Sequence, residues 1–218
     1  DENSAVSFDK ELSENNIVTI QPDSLRILHN PLTGWVLYAS MGVDAADFWA
    51  QYDHMYIPEL GHNVSVTDYA HTLYIRASWT DFNPQEDVYG WKIDSNLRAY
   101  IEGAYQRNMR LAFRVVVDSR DKRTEFTPQF VKDAGAKGFM NKGKWSPYSD
   151  DPVFQKYYTK FVKALAKDFN DPSKVEFIDG FGLGKWGEYH TMIYSTGDDT
   201  PKKAVFDWVT DIYSQAFD

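Results

Sequence analysis

The chain has 218 residues, of which 43% are apolar and 25% are charged, proportions that are ordinary for a globular protein. Its net charge of −9 makes nucleic acid and anionic membrane surfaces poor partners, because both carry dense negative charge. It contains no cysteine, which excludes disulfides, cysteine-ligated zinc and thiol nucleophiles. Aromatic residues make up 16% of the chain, and such rings line ligand sites as well as cores.

The N-terminal residues differ in composition from the rest of the chain. Residues 1–16 are rich in Asp, Glu, Asn and Ser and lack the apolar core of a signal peptide. We therefore predict a polar extension over 1–24 and a single domain over 25–218. No apolar run approaches the ~20 residues that a membrane-spanning helix needs.

Strand and helix patterns alternate from residue 34 onward. Short β-rich apolar runs predict strands over 34–38, 72–78, 110–117 and 175–184. Apolar residues at helical spacing predict helices over 44–60, 94–108, 152–169 and 200–213. Asp94 and Asp151 are placed to cap two of these helices, and Asn108 suits a left-handed helix stop.

This alternation predicts an α/β fold with a parallel sheet. An eight-unit barrel needs ~250 residues, so four units correspond to about the first half of a (β/α)₈ TIM-type barrel. A small, open, doubly wound sheet is the alternative. It has weak support, because no G-x-G-x-x-G follows the first strand. The third strand is nearly all apolar, which predicts burial on both faces.

The segment 118–150 is polar and contains one possible short helix, over 128–134. A connection of this length inside a compact domain is usually functional or disordered. We expect it to rise from the edge of the sheet where the strands end.

Three stretches carry a resemblance to a known family. They are Asn30-Pro31 with Gly34-Trp35; Trp79, Pro84, Glu86, Tyr89, Trp91 and Asp94; and the run from Gly182 to His190. The chain resembles a secreted bacterial family of glycosidase-like (β/α)₈ barrels of unknown function, related to the retaining clan with two catalytic glutamates. The resemblance implies a carbohydrate partner, no cofactor, and a secreted, periplasmic or cell-surface location.

Glu188 is the candidate general acid. Barrel enzymes place their active-site groups where strands end, and the resemblance assigns the acid/base to this position after the fourth strand. Trp186 and Tyr189 could desolvate the carboxyl, as an acid that works near neutral pH requires. The alternative interpretation is an acidic residue at a helix start, where the helix dipole favours it.

Gly187 departs from the family pattern. Related glycosidases usually place asparagine directly before the acid/base, where it binds the sugar 2-hydroxyl. This departure favours a second hypothesis, a carbohydrate-binding barrel that has lost catalysis. A third is that the resemblance is only architectural, because barrel folds host many chemistries.

Further residues are candidates for substrate binding. The resemblance places Arg76 beside the nucleophile; a buried arginine paired for structural reasons is a second interpretation, and the two are compatible because such an arginine can pair with a catalytic carboxylate. Arg114, on the third strand, is interpreted as structural. Trp186 and His190 flank Glu188, and either side chain could bind sugar or simply pack. Candidate aromatic platforms elsewhere are Trp79, at the end of the second strand, and Trp145, in the long loop.

No metal site is predicted, because the five histidines are scattered and cysteine is absent. The family's nucleophile follows a seventh strand, so the resemblance assigns no residue of this chain to that role. Four units also leave two sheet edges unpaired. We therefore expect a partner for those edges, either the remaining half of the barrel or a second copy of the chain.

Overall fold

The computed structural model describes residues 34–39, 41–120 and 124–217, so the predicted extension over 1–24 lies outside the described residues. The strands are β1 (Trp35–Tyr38), β2 (Met55–Ile57), β3 (His62–Val64), β4 (Ala70–Ser78), β5 (Arg110–Val116), β6 (Gly138–Asn141), β7 (Lys144–Pro147) and β8 (Val175–Ile178). The α-helices are α1 (Ala45–Asp53), α2 (Trp79–Phe82), α3 (Gly90–Ile93), α4 (Ser95–Gln106), α5 (Gln129–Asp133), α6 (Pro152–Phe169) and α7 (Lys202–Ala216). None of these helices is long and apolar enough to cross a membrane.

Four strands form one parallel sheet in the order β1-β4-β5-β8. This spatial order is also their order along the chain, with a helix in each connection. A doubly wound sheet instead reverses its strand order at a switch point, and no reversal occurs among the described strands. The fold is therefore α/β with four units in the arrangement of a partial TIM-type barrel, as predicted.

The two faces of this sheet have different environments, because successive side chains of a strand point to opposite sides. Ile75 and Phe113 belong to the face packed against the helices and have no exposed surface. On the opposite face, Tyr38 is 51% exposed and Phe177 is 40% exposed. Arg114 is partly exposed on that face, so the prediction that β5 is buried on both faces is wrong at this position.

Aromatic side chains fill the layer between sheet and helices. The Phe113 ring of β5 lies 4.7 Å from Phe169 of α6 and 6.0 Å from Phe82 of α2. The Trp79 ring lies 5.2 Å from Tyr158 and 5.8 Å from Phe161, both on α6. Rings at these separations bury large apolar area and gain from edge-to-face contacts. The high aromatic content is therefore largely core.

Local signals located several elements correctly. The Asp94 carboxylate accepts a hydrogen bond from the Leu97 amide, and Asp151 accepts one from Phe154, so both residues are helix caps as predicted. Asn108 has a φ of 56°, which confirms the left-handed stop after α4.

Two predicted elements are shorter in the structure. The helix predicted over 44–60 ends at Asp53, and β2 and β3 then form an antiparallel hairpin. Pro58 and Gly61 lie in its turn, where proline cannot donate a backbone hydrogen bond and Gly61 adopts a φ of 69°. The strand predicted over 175–184 ends at Ile178.

The described parts of the long segment 118–150, residues 118–120 and 124–150, contain regular structure. The predicted short helix is present as α5, and a hairpin of β6 and β7, which was not predicted, follows it. The two residues between these strands, Lys142 and Gly143, have φ values of 51° and 75°. Positive φ at both central residues is the requirement of a type I′ hairpin turn, so Lys142-Gly143 is the signal that sequence reasoning missed.

The two sheet faces should respond differently to truncation. We expect Phe113→Ala to cost about 3–5 kcal/mol of unfolding free energy, because it leaves a cavity among packed rings. Phe177→Ala, on the neighbouring strand but on the open face, should cost less than about 1 kcal/mol. Urea unfolding followed by circular dichroism measures both. Equal losses would show that the open face is as tightly packed as the helix face.

Candidate functional site

The C-terminal ends of parallel strands meet at one edge of the sheet, and the candidate residues lie there. Arg76 of β4 and Arg114 of β5 are register partners, each two residues before its strand ends. Asp179 directly follows β8. Asp179 is also the first residue of the segment 179–195, which we call the β8 loop and which carries Trp186, Glu188 and His190.

The β8 loop folds back on itself. The Lys185 amide donates to the His190 carbonyl at 2.8 Å, closing a short antiparallel bridge around Glu188. Six residues of the loop have φ between 47° and 77°, namely Gly182, Gly184, Trp186, Gly187, Tyr189 and Thr191. Three of these are not glycine, and left-handed backbone at such residues stores strain of the kind found at functional sites.

Gly182 anchors this loop to the end of β5. The Val117 amide donates to the Gly182 carbonyl at 3.1 Å. A Cβ added at Gly182 would lie 2.4 Å from the Val115 carbonyl oxygen and 2.5 Å from the Tyr158 hydroxyl. The backbone at Gly182 therefore lies closer to β5 and α6 than a residue with a side chain could. This close approach explains why glycine occupies the position.

Glu188 faces the open end of the sheet and not the surrounding helices. Its Oε1 accepts a hydrogen bond from Arg114 Nη1 at 2.6 Å, and its side chain is 47% exposed. The helix-start interpretation does not apply, because α7 begins only at Lys202. The carboxyl is accessible to a ligand and lies next to a fixed positive charge.

Arg114 contacts a second carboxylate. Its Nε donates to Asp179 Oδ2 at 2.7 Å, and the same oxygen accepts from the Tyr74 hydroxyl at 2.5 Å. Sequence reasoning missed Asp179 and Tyr74 and treated Arg114 as structural only. The available signals were an acidic residue immediately after an apolar strand and Tyr74 two residues before Arg76, which puts both on one strand face.

Two pKa values support a charged arginine beside neutral tyrosine. Burial raises the pKa of Tyr74 far above its usual value, and the hydrogen bond to Asp179 raises it further. Burial alone would lower the pKa of Arg114, but its bonds to Asp179 and Glu188 outweigh that effect, and the pKa is raised. Tyr74 therefore donates as a neutral phenol and Arg114 stays a cation.

Arg76 has a different environment from Arg114. Its Nη2 donates to the Trp186 carbonyl at 3.0 Å, which ties β4 to the β8 loop. Its buried Nε has no hydrogen-bond partner within the described part of the chain. Arg76 also lines a cavity of about 240 Å³; the other residues around it include Tyr38, Met41, Ser78, Asp81 and Phe126.

Trp186 and His190 lie beside each other at the surface of the loop. Their ring centroids are 5.3 Å apart in an edge-to-face arrangement, and Trp186 is 38% exposed. The Lys185 ammonium lies 4.3 Å from the Trp186 ring. Trp186 thus offers an exposed aromatic surface close to Glu188, as a stacking contact to a sugar ring requires.

Two predicted platforms are in the core, and their assignment to substrate binding is corrected. Trp79 has no exposed surface because the rings of α6 enclose it. Trp145 is 5% exposed, and its indole packs directly on the backbone of Gly138, where a Cβ would lie 2.7 Å from the indole nitrogen. Neither ring has a surface on which a ligand can stack.

The long segment after β5 contacts the β8 loop, as expected for connections that rise from one edge. Arg120 Nη2 donates to the Thr191 carbonyl at 2.6 Å, while its guanidinium forms a salt bridge with Asp118. Asp150 accepts a hydrogen bond from the Ser195 amide at 2.8 Å. These contacts fix the C-terminal part of the β8 loop against the segment 118–150.

A general acid must present one carboxyl oxygen to the leaving group. The contact of Glu188 with Arg114 uses Oε1 alone, so Oε2 is not held by this arginine. Among the residues that the structure describes, no group of three or more His, Asp or Glu side chains is placed to hold a metal ion.

No family model and no curated protein matches the chain. Solved structures that resemble it include xylanase B from Clostridium stercorarium F9, at 12% identity and a TM-score of 0.45. Another is a GH5_18 protein from Streptomyces cattleya in complex with GlcNAc, at 14% identity and a TM-score of 0.47. Each match covers 84% of this chain, but only 49% and 41% of those two chains.

A third similar structure, described as a glycoside hydrolase, has 11% identity and a TM-score of 0.36 over 83% of this chain and 49% of its own. The chain therefore spans less than half the length of these three solved structures. At such identities and TM-scores, the likeness carries no argument about activity. The fold class follows from the strand order described above.

Replacement of Gly182 by alanine should destabilise the protein more than the same replacement at a glycine that has left-handed backbone but no close neighbours. Gly197 has the same φ of 77° but nothing within 4 Å of an added Cβ, so it is a matched control. We expect Gly197→Ala to cost about 1 kcal/mol and Gly182→Ala about 3 kcal/mol, because only the second clashes. Urea unfolding measures both, and hydrogen exchange over 183–190 should rise only in Gly182→Ala. Equal effects would mean that the loop does not depend on this contact.

Proposed function

We propose that the protein is a glycoside hydrolase-like barrel that cleaves a glycosidic bond, with Glu188 as general acid/base. The observation that carries the proposal is the position of Glu188. Its carboxyl lies at the C-terminal edge of a parallel sheet, half-exposed, with the Trp186 ring and His190 in the same loop. That edge is where barrel enzymes assemble their sites.

The proposed chemistry has two steps. In the first, Glu188 donates a proton to the leaving glycosidic oxygen while a second carboxylate attacks the sugar from the opposite side. In the second, Glu188 as carboxylate takes a proton from a water whose oxygen attacks the anomeric carbon, while the bond between the sugar and the second carboxylate breaks and the sugar leaves with retained configuration. Arg114, which donates to Glu188 Oε1 at 2.6 Å, would orient this carboxylate.

The position of the second carboxylate is indicated by Arg76. Its buried Nε lacks a partner among the described residues, and an unpaired buried charge is costly. The resemblance places a nucleophile beside this arginine, following a seventh strand. A carboxylate from another segment or chain would both satisfy Arg76 and complete the pair.

The alternative function is a carbohydrate-binding barrel without catalysis, and Gly187 favours it. The backbone there has a φ of 74°, and an added Cβ would meet its nearest neighbours only at 3.4 Å. Asparagine tolerates left-handed backbone better than most residues do. The fold therefore does not exclude asparagine at this position, and its loss removes the sugar contact that the family uses.

An activity and binding assay separates the two functions. We expect the 218-residue chain to leave nitrophenyl glycosides uncleaved, because the second carboxylate is not among its assigned residues. It should still bind a subset of oligosaccharides in calorimetric titrations, with weaker binding in Trp186→Ala, because Trp186 is the exposed ring beside Glu188. Lys160→Gln, on the outer face of α6, should change nothing.

The outcomes have distinct meanings. Turnover that Glu188→Gln abolishes would show that a complete hydrolytic site exists within the chain. Binding without turnover, in a protein that also contains the second carboxylate, would support the binding-only alternative. If no carbohydrate bound and none were cleaved, both proposals would fail.

The open sheet edges also lead to a prediction about assembly. Along the described sheet, β1 and β8 are edge strands, and Val36, Tyr38 and Phe177 form an exposed apolar strip between them. We propose that this surface pairs with the remaining half of a barrel or with a second copy of the chain. Light scattering of the isolated chain should therefore give a mass above 25.2 kDa. A clean monomer at all concentrations would contradict the pairing.

A further inference from the structure

Three hydrogen bonds join four side chains at the C-terminal edge of the sheet. Tyr74 donates to Asp179, Arg114 donates to the same Asp179 oxygen, and Arg114 donates to Glu188. The three distances are 2.5, 2.7 and 2.6 Å. We call this chain of contacts the Arg114 network. It links β4, β5 and the β8 loop through side chains alone.

We propose that Arg114 is a positioning residue that holds the Glu188 carboxyl in a fixed place in the free protein, with Asp179 and Tyr74 keeping Arg114 in place. A ligand that takes over the bond from Arg114 would release Glu188 from this position. The importance of this release rests on the proposed function of Glu188, but the contact itself does not.

The fixed part of the network is Tyr74, Asp179 and Arg114. Arg114 is 22% exposed and Asp179 31% exposed, so both charges have lost part of their hydration. Both donors bond to the same oxygen, Asp179 Oδ2, so Asp179 cannot rotate away without breaking two bonds. Charge-assisted bonds of this length are the stronger class, and a partly buried pair is costly to break.

Glu188 is the releasable part. It contacts the network through one bond, from Arg114 Nη1, and nearly half of its side chain is in solvent. Exposed ion pairs stabilise little, so a sugar hydroxyl that bonds to Arg114 could replace Glu188 at small cost. The guanidinium would remain on Asp179 throughout. The network thus combines a rigid anchor with a weak final contact.

Other charged and titratable groups lie near Glu188 and contribute to the electrostatic environment of its carboxyl. Arg76 faces it from β4 through its bond to the Trp186 carbonyl, and Lys185 and His190 lie on the β8 loop itself. Arg120 reaches the same loop at Thr191 from the segment after β5. Of these groups, only Arg114 contacts the Glu188 carboxylate in a described salt bridge.

Carbodiimide coupling tests the contact without any enzymatic assay. The folded chain is treated near pH 6 with a water-soluble carbodiimide and glycine methyl ester, and each carboxyl is followed by peptide mass spectrometry. A carboxylate bound to a guanidinium reacts slowly, because the salt bridge occupies it. In the unsubstituted chain, Glu188 should therefore react more slowly than Glu59, which is exposed and has no described ion pair.

Substitutions sharpen the test. Arg114→Gln should raise the Glu188 coupling rate about three- to fivefold, the size expected for loss of a partly exposed ion pair. Arg114→Lys should restore part of the slow rate because it keeps the charge. As a matched control, Lys160→Gln removes a cation from Glu86 and Asp87, with each of which Lys160 pairs at 2.8 Å, and should accelerate these two carboxyls but not Glu188.

Acylation of Lys185 by an N-hydroxysuccinimide ester, added to the folded chain in a parallel reaction before digestion, reports on the loop. It should be unchanged in Arg114→Gln, which would show that faster coupling does not come from an unfolded loop. The proposal is overturned if Glu188 couples as fast as Glu59 in the unsubstituted chain, or if Arg114→Gln leaves its rate unchanged. Absence of glycosidase activity would remove the proposed function and leave this result standing.

Discussion

The geometry of the candidate site depends on the contact between Gly182 and the end of β5. The loop backbone lies against the Val115 carbonyl and the Tyr158 hydroxyl at distances that exclude a side chain. Because β5 and α6 belong to the packed core, this contact transmits the rigidity of the core to the β8 loop. Glu188 is six residues further along, within a loop whose C-terminal part is also fixed by Arg120 and Asp150.

Two positively charged arginines lie together at this edge, although the chain as a whole is negatively charged. The protein carries a net charge of −9, yet Arg76 and Arg114 lie side by side on adjacent strands of the open face. Neighbouring like charges destabilise a sheet unless they are compensated. Asp179 and Glu188 compensate Arg114, whereas Arg76 has only a backbone carbonyl in the described structure. Arg114 therefore belongs to a completed ion-pair network, whereas Arg76 has no carboxylate partner among the described residues.

The core and the open face divide the aromatic residues between them. Rings such as Trp79, Phe113 and Phe161 are buried between sheet and helices and stabilise the fold. Tyr38 and Phe177 are exposed on the opposite face, where no described helix covers them. Aromatic side chains therefore occupy both faces of one sheet, buried on the helix side and exposed on the other.

Local signals in the sequence were sufficient for most of the helices and strands. Strand alternation with helices, the caps at Asp94 and Asp151 and the left-handed Asn108 depend on neighbours within a few residues, so they can be read along the chain. The place of Glu188 after the last parallel strand follows from the same order. The predicted bounds failed where hairpins replaced expected helix or loop, because such turns depend on one or two residues.

Only the tertiary structure decided which of the candidate side chains are exposed. Trp79 and Trp145 are of a residue type that can stack on a sugar ring, but Trp79 packs against α6 and Trp145 against Gly138, so both are buried. Arg114 was interpreted as structural, whereas it joins Asp179 and Glu188, residues 65 and 74 positions away along the chain. Burial and ion pairing over such separations depend on how strands and helices pack. A single sequence specifies the residues that take part, but the distances between them are set by the folded chain.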